Sequence, residues 1–234
     1  MKPMLLAALL AAAVQSGLAQ ADWTGSGELG LVFARGNSDT ETINAALEFI
    51  YSQDRWTNQS NISYLRSENE GELNASRFLA SNKTNYSLSD RSYILGVARY
   101  DRDRFTSFEY QASLALGYGY RIIDSDAHTL VGEIGPGVRY SELRETGDSE
   151  TELIARGSLD YIWTISESAN LRNLFLVESG SSNTFFENAL TLEVAINSAM
   201  SLKTGVSVRH NTDVDAGRDK TDYLSTINLV YSFD

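Results

Sequence analysis

Between residues 23 and 233 apolar and polar side chains alternate with period two along most of the chain. In "TETINAALEFIY" Ile43, Ala45, Leu47, Phe49 and Tyr51 share one parity, and Asn44, Ala46 and Glu48 the other. "YQASLALGYGYR" sets Tyr110, Leu114, Leu116, Tyr118 and Tyr120 against Gln111, Ser113 and Arg121. "ENALTLEVAIN" sets Leu190, Leu192, Val194 and Ile196 against Glu187 and Glu193. Helices repeat every 3.6 residues and strands every two, so this pattern predicts strands. Twelve are expected, at 23–35, 40–51, 56–66, 75–88, 92–101, 108–121, 127–140, 151–165, 170–179, 185–197, 201–210 and 221–233. The third is weakly apolar on both faces, and the fifth, "SYILGVARYD", has ambiguous parity.

Most of these segments exceed the five or six residues usual in globular sheets and suit tilted strands that cross a bilayer. The connections alternate as well. Short links such as "SQDR", "SDR" and "DSD" follow the even strands. Longer polar ones, "SENEGELN", "SELRETGDSE" and "NTDVDAGRDK", follow strands three, seven and eleven. Short periplasmic turns, longer outer loops and an even strand number together predict a 12-stranded antiparallel transmembrane β-barrel of the bacterial outer membrane. In such a barrel the apolar parity meets lipid and the polar parity lines the lumen. Tyr51, Trp56, Tyr93, Tyr118, Tyr120, Trp163 and Phe233 lie near strand ends beside the short turns, as one interfacial girdle requires.

The polar parity carries charge in mid-strand: Glu48, Lys83, Glu133, Arg139, Arg156, Asp160, Arg172, Glu193, Lys203 and Arg209. The two signs nearly balance, which predicts salt-bridged side chains crossing a narrow or occluded lumen. Glu133, Arg139, Arg156, Asp160, Glu193 and Arg209 form the candidate ion-pair network. "EIGPGVRY" places Gly135 and Gly137 between Glu133 and Arg139 on one parity, so an ion pair spanning the glycines is expected, either as a structural bridge or as a site.

Composition narrows the class. Residues 1–21 have a basic Lys2, an apolar run from Met4 to Val14 and an Ala19-Gln20-Ala21 ending, the pattern of a cleaved signal peptide. The barrel domain is therefore expected at 22–234. Its charge is −13 once Lys2 is taken from the chain's −12, which argues against nucleic acid as a partner. With no cysteine, stability rests on packing and hydrogen bonds. No apolar run reaches the length of a membrane helix.

Chemistry-bearing motifs are few. His210 shares its parity with Ser225 of the next strand, so a lipid-acting enzyme resembling a phospholipase is one alternative. The expected register sets Ser225 nearer Ser207 than His210, and no third orienting group stands out. "DVDAGRD" at 213–219 lacks the ligand spacing of a calcium loop, leaving only weak divalent-cation binding by acidic outer loops near lipopolysaccharide. No cofactor motif and no paired metal ligands are found in the sequence.

"ELGLVFARGNSDTETIN", "RYDRDRF" at 99–105, "EIGPGVRY" at 133–140 and "DKTDYLSTINLVYSF" at the C-terminus occur in order over essentially the whole expected mature chain. In these pieces the chain resembles domain-of-unknown-function family 481, whose members are often labelled salt-induced outer-membrane proteins. The resemblance implies the barrel, its location and a link to osmotic stress, and carries over no catalytic residue. Tyr231 and Phe233, on alternate positions at the end of the last strand, resemble the signal read by barrel-assembly machinery. The function expected is an outer-membrane barrel with a narrow or occluded, charge-balanced lumen, a small-solute channel being the other non-enzymatic alternative.

Overall fold

Twelve strands follow one another without a helix among the described residues: β1 (Asp22–Ala34), β2 (Thr40–Gln53), β3 (Trp56–Asn69), β4 (Glu72–Ser87), β5 (Ser92–Asp103), β6 (Phe108–Asp124), β7 (His128–Leu143), β8 (Ser149–Ser166), β9 (Ala169–Ser179), β10 (Thr184–Ala195), β11 (Met200–Asn211) and β12 (Thr221–Phe233). The structure, a computed structural model, describes residues 22–34, 40–104, 106–214 and 217–233. The expected leader, residues 1–21, lies outside them. Each strand pairs antiparallel with the next and β1 meets β12, closing a barrel. Closure leaves no strand edge to face hydrocarbon, where an unpaired backbone group is costly.

The expected ends hold to within about three residues, with one difference in kind. β3 and β4 continue into the segment expected as a long loop and meet at Asn69 and Glu72. Glu70 and Gly71 both have positive φ, 54° and 78°, the backbone of a two-residue hairpin turn. Sequential pairs run over ten to fifteen residues. The β1–β12 seam is paired over five, Gly25–Leu29 against Leu229–Phe233.

Parity sorts the two faces. Outward side chains include Leu31, Leu47, Ile62, Leu116, Ile134, Leu153, Ile196 and Ile227, all exposed although large and apolar. A surface like this is unsuited to water and suited to lipid. Aromatic side chains form two belts on it. Near the short turns Trp23 packs on Tyr51 at 4.7 Å and Trp56 on Tyr86 at 4.8 Å between ring centroids. Toward the long loops Phe78, Tyr100, Tyr110 and Tyr140 follow one another across four strands at 6.2, 5.5 and 5.9 Å. On β4 the belts are eight residues apart, or about 20 Å along the barrel axis for a strand rising about 3.3 Å per residue and tilted about 40°. That spans most of an outer-membrane apolar band. The alternation had suggested only the first belt, and it placed Tyr93 there. Tyr93 instead faces the lumen, because the odd residues of β5 point inward.

Inward glycines mark where neighbouring strands come closest. A Cβ on Gly135 would lie 1.9 Å from the Leu116 carbonyl oxygen, and one on Gly119 would lie 2.2 Å from the Tyr93 ring. Backbone blocks the first and a side chain the second.

Candidate functional site: a clasp across the lumen

Mid-strand charges on the inward parity face one another inside a ring about four strands wide. β5 and β11 stand six strands apart in a ring of twelve, on opposite walls. Arg209 of β11 nevertheless reaches Asp101 of β5, its Nη2 donating at 2.8 Å, and its Nη1 donates to Asp103 at 3.0 Å. Arg99 of β5 donates to Glu187 of β10 at 3.1 Å. Arg77 of β4 holds Asp101 from the side with two parallel bonds of 3.1 and 2.9 Å. Three guanidinium groups thus meet three carboxylates, so the group carries no net charge to desolvate alone. Phe185 lies between the Arg99 and Arg209 guanidinium groups, 5.0 and 5.1 Å from its ring centroid. Such cation–π contacts strengthen when water is excluded, and Phe185 is only 4% exposed. The clasp therefore crosses the lumen in the barrel's long-loop half.

A second group sits beside it. Arg139, 2% exposed, donates from Nε and Nη2 to Glu152 Oε1 at 3.1 and 2.6 Å, and from Nη2 to the Asn183 carbonyl at 2.5 Å. Glu152 also accepts the Ser182 backbone N–H at 3.0 Å, and the Asn183 amide donates to Asn211 at 2.8 Å. Together these bonds pull the 180–183 turn down onto the mouth of the lumen.

On the short-turn side of the clasp lies a chamber of about 340 Å³. Glu133 projects into it, accepting from Lys83 at 2.9 Å, the Tyr93 hydroxyl at 2.7 Å and the Ser158 hydroxyl at 3.1 Å. Arg172 holds Asp160 with two bonds of 2.8 and 2.7 Å, and Glu48 accepts from Gln59 at 2.7 Å. The chamber lining sets Glu48, Glu133, Asp160 and Glu187 against Lys83, Arg99, Arg156 and Arg172. Near the seam Lys203 pairs with Glu28 at 2.6 Å.

All six residues of the expected network face inward, but they do not form one network. Only Glu133 and Arg156 among them approach each other, at 3.5 Å. Glu133 and Arg139 do not pair across the two glycines. Six residues apart on one strand, they are about 20 Å from each other along it, and each bonds a neighbouring strand instead. Asp160 belongs with Arg172, Arg209 with the clasp, and Glu193 with the Ser201 hydroxyl at 2.5 Å. The clasp residues Arg99, Asp101 and Asp103 escaped sequence reasoning although "RYDRDRF" contains them. Their common odd parity was the signal available.

The lipid-facing pair considered for catalysis is not assembled. Ser225 stands opposite Val206, while His210 stands opposite Thr221 and shares a hydrogen bond of 2.8 Å with its hydroxyl.

Residues 27–233, nearly every described strand position, match the DUF481 family of proteins of unknown function. This chain belongs to that family. The DUF481 barrel is 29% identical over 178 residues to the uncharacterized protein YdiY of Escherichia coli (strain K12), a match covering 76% of this chain and 68% of YdiY. Among solved structures it is similar to an outer membrane channel from Pseudomonas putida F1, with TM-score 0.53, 9% identity, and 93% and 97% of the two chains covered. The NanC porin follows with TM-score 0.52, 10% identity, and 90% and 98% covered. At such identities the likeness is one of fold, and that fold is the outer-membrane β-barrel.

Proposed function

We propose that this DUF481 barrel is an envelope component whose lumen is shut and charge-balanced, and that it passes no solute in the arrangement described. The observation carrying this reading is the clasp: Arg209–Asp101 and Arg99–Glu187 join opposite walls, and Phe185 fills the space between them. A physiological role in osmotic or salt stress goes with this reading. Its partners are outer-membrane lipid, lipopolysaccharide with the divalent cations that acidic outer loops would share, and the assembly machinery that reads Tyr231 and Phe233. Export through the periplasm, after removal of residues 1–21, precedes insertion.

Small-solute passage is the second reading. What favours it is that the clasp consists of side chains alone, above a chamber already lined by four acids and four bases. The lipid-acting enzyme has no such support, since Ser225 and His210 are held by different cross-strand partners.

Single-channel recording in planar bilayers tests the proposal. The wild-type barrel is expected to be silent, and D101A/R209A, which removes both ends of a cross-lumen bond, is expected to conduct. F185A, which leaves every charge paired, is a second variant, and retained heat-modifiable gel mobility shows that each variant is folded. Steady conductance from wild type, or silence from both folded variants, refutes the clasp as the closure.

A further inference from the structure

Among the described residues the lipid-facing parity is broken most extensively near one short turn. On β3 and β4 the outward positions directly inside the Trp56–Tyr86 belt are Asn58, Ser60, Asn82 and Thr84, where hydrocarbon-facing apolar residues are the rule. By register they lie about 5 to 10 Å above that belt, within the apolar band. Their hydrogen bonds form a closed set. Asn58 Nδ2 donates to Asn82 Oδ1 at 3.1 Å and Thr84 Oγ1 at 2.7 Å, and Asn82 Nδ2 to Asn58 Oδ1 at 3.0 Å and Ser60 Oγ at 2.9 Å. The two hydroxyls return bonds of 3.4 Å to Asn58 Oδ1 and Asn82 Oδ1. Every side-chain donor is used, so a single barrel can insert with this patch facing lipid. The dipoles of these paired groups remain costly there, however, because hydrocarbon solvates them poorly.

The register supplies a second feature. Thr84 and Asn82 stand opposite Gly96 and Ala98 of β5, which in turn stand opposite Leu116 and Leu114 of β6. A shallow furrow of small and amide side chains therefore runs beside two leucines that are 71% and 61% exposed. Phe49 and Tyr51 of β2 form its other wall. A smaller amide pair, Asn173 with Asn188, lies on the opposite side of the barrel, where Leu171, Phe175 and Leu190 crowd it and Phe175 also borders an apolar hollow lined by Ile134, Gly157 and Leu159.

We propose that this wall, β3 to β5 with its flanking side chains, is the contact surface for a second copy of the same chain. The patch is uncharged, and each of its four side chains both donates and accepts. Two copies related by a two-fold axis thus present matching groups with no like-charge repulsion. With that axis passing between β3 and β4, Phe49 and Tyr51 of one copy meet Gly96 and Ala98 of the other, and these small residues let the walls come close, as small residues do between packed membrane elements. Four strands, β2 to β5, about 4.8 Å apart over about 20 Å of height offer at most about 400 Å² per copy, the size of a weak interface.

The chain has no cysteine, so single replacements report contact cleanly. S60C in the full chain, oxidised in the outer membrane of expressing cells, is expected to give a disulfide dimer of twice the chain mass. L202C, on β11 at similar depth and equally lipid-facing, is expected not to. Adding N58L and N82L to S60C fills the furrow with apolar side chains that lipid tolerates, so the barrel stays heat-modifiable while dimer yield falls several-fold. No dimer from S60C, equal yields from S60C and L202C, a conjugate of another mass, or a yield indifferent to N58L/N82L would each overturn the proposal.

Discussion

Arg139→Met removes a guanidinium that is 2% exposed and leaves Glu152, itself 8% exposed, without its cation. Glu152 keeps only the Ser182 N–H at 3.0 Å and the Ser181 hydroxyl at 3.4 Å. Breaking a buried pair from one side costs about 3–5 kcal/mol, chiefly because a charge stays buried and unpaired. Removing both charges together costs far less, often within about 1 kcal/mol of the paired state. R139M is therefore expected to lose about 3 kcal/mol or more, E152L a comparable amount because it strands Arg139, and R139M/E152L much less than their sum. The assay is reversible urea unfolding in lipid vesicles, followed by tryptophan fluorescence and gel mobility, with the coupling energy taken from the double-mutant cycle. Additive losses, with coupling under about 0.5 kcal/mol, would mean that the two side chains do not form the bonded pair described.

Two further outcomes are expected. Gly135→Ala would set a Cβ 1.9 Å from the Leu116 carbonyl oxygen and 2.5 Å from Gly117 Cα, both backbone atoms, so little of this variant should reach the heat-modifiable barrel state, whereas Gly27→Ala, whose Cβ would make ordinary contact with Leu47 Cδ2 at 3.5 Å, should still fold. Glu28→Gln weakens the Lys203 contact of 2.6 Å at a seam paired over only five residues, so amide exchange in Leu229–Phe233 should quicken while that of β6 and β7 stays unchanged.

The strand number, the closed antiparallel order and most faces were legible because period two is a local property of each strand. The difficulties have physical reasons. β3 looked weakly apolar because its lipid face carries Asn58 and Ser60. β5 looked ambiguous because its lumen face mixes buried Leu95 and Val97 with Arg99 and Asp101, while its outer face carries Gly96 and Ala98. Tyr93 was misplaced for the same reason. Ion-pair partners were illegible in principle: they depend on the stagger between strands and on which walls oppose each other, neither of which any single strand encodes. Arg209 and Asp101 are 108 residues apart in the chain. The residues expected to form one network share a parity, and parity alone does not set axial height.

The bonds between β5 and the β10–β11 wall have a mechanical consequence. A shell one strand thick resists stretching along its hydrogen bonds but flattens readily, and bilayer pressure acts on it from the side. Bonds from wall to opposite wall behave as spokes, fixing the cross-section at one level whatever passes or fails to pass beneath them. Cutting the spokes should leave the hoop intact and make it ovalise, so distances between labels on β2 and β8, across the other diameter, should broaden even where the secondary structure is unchanged.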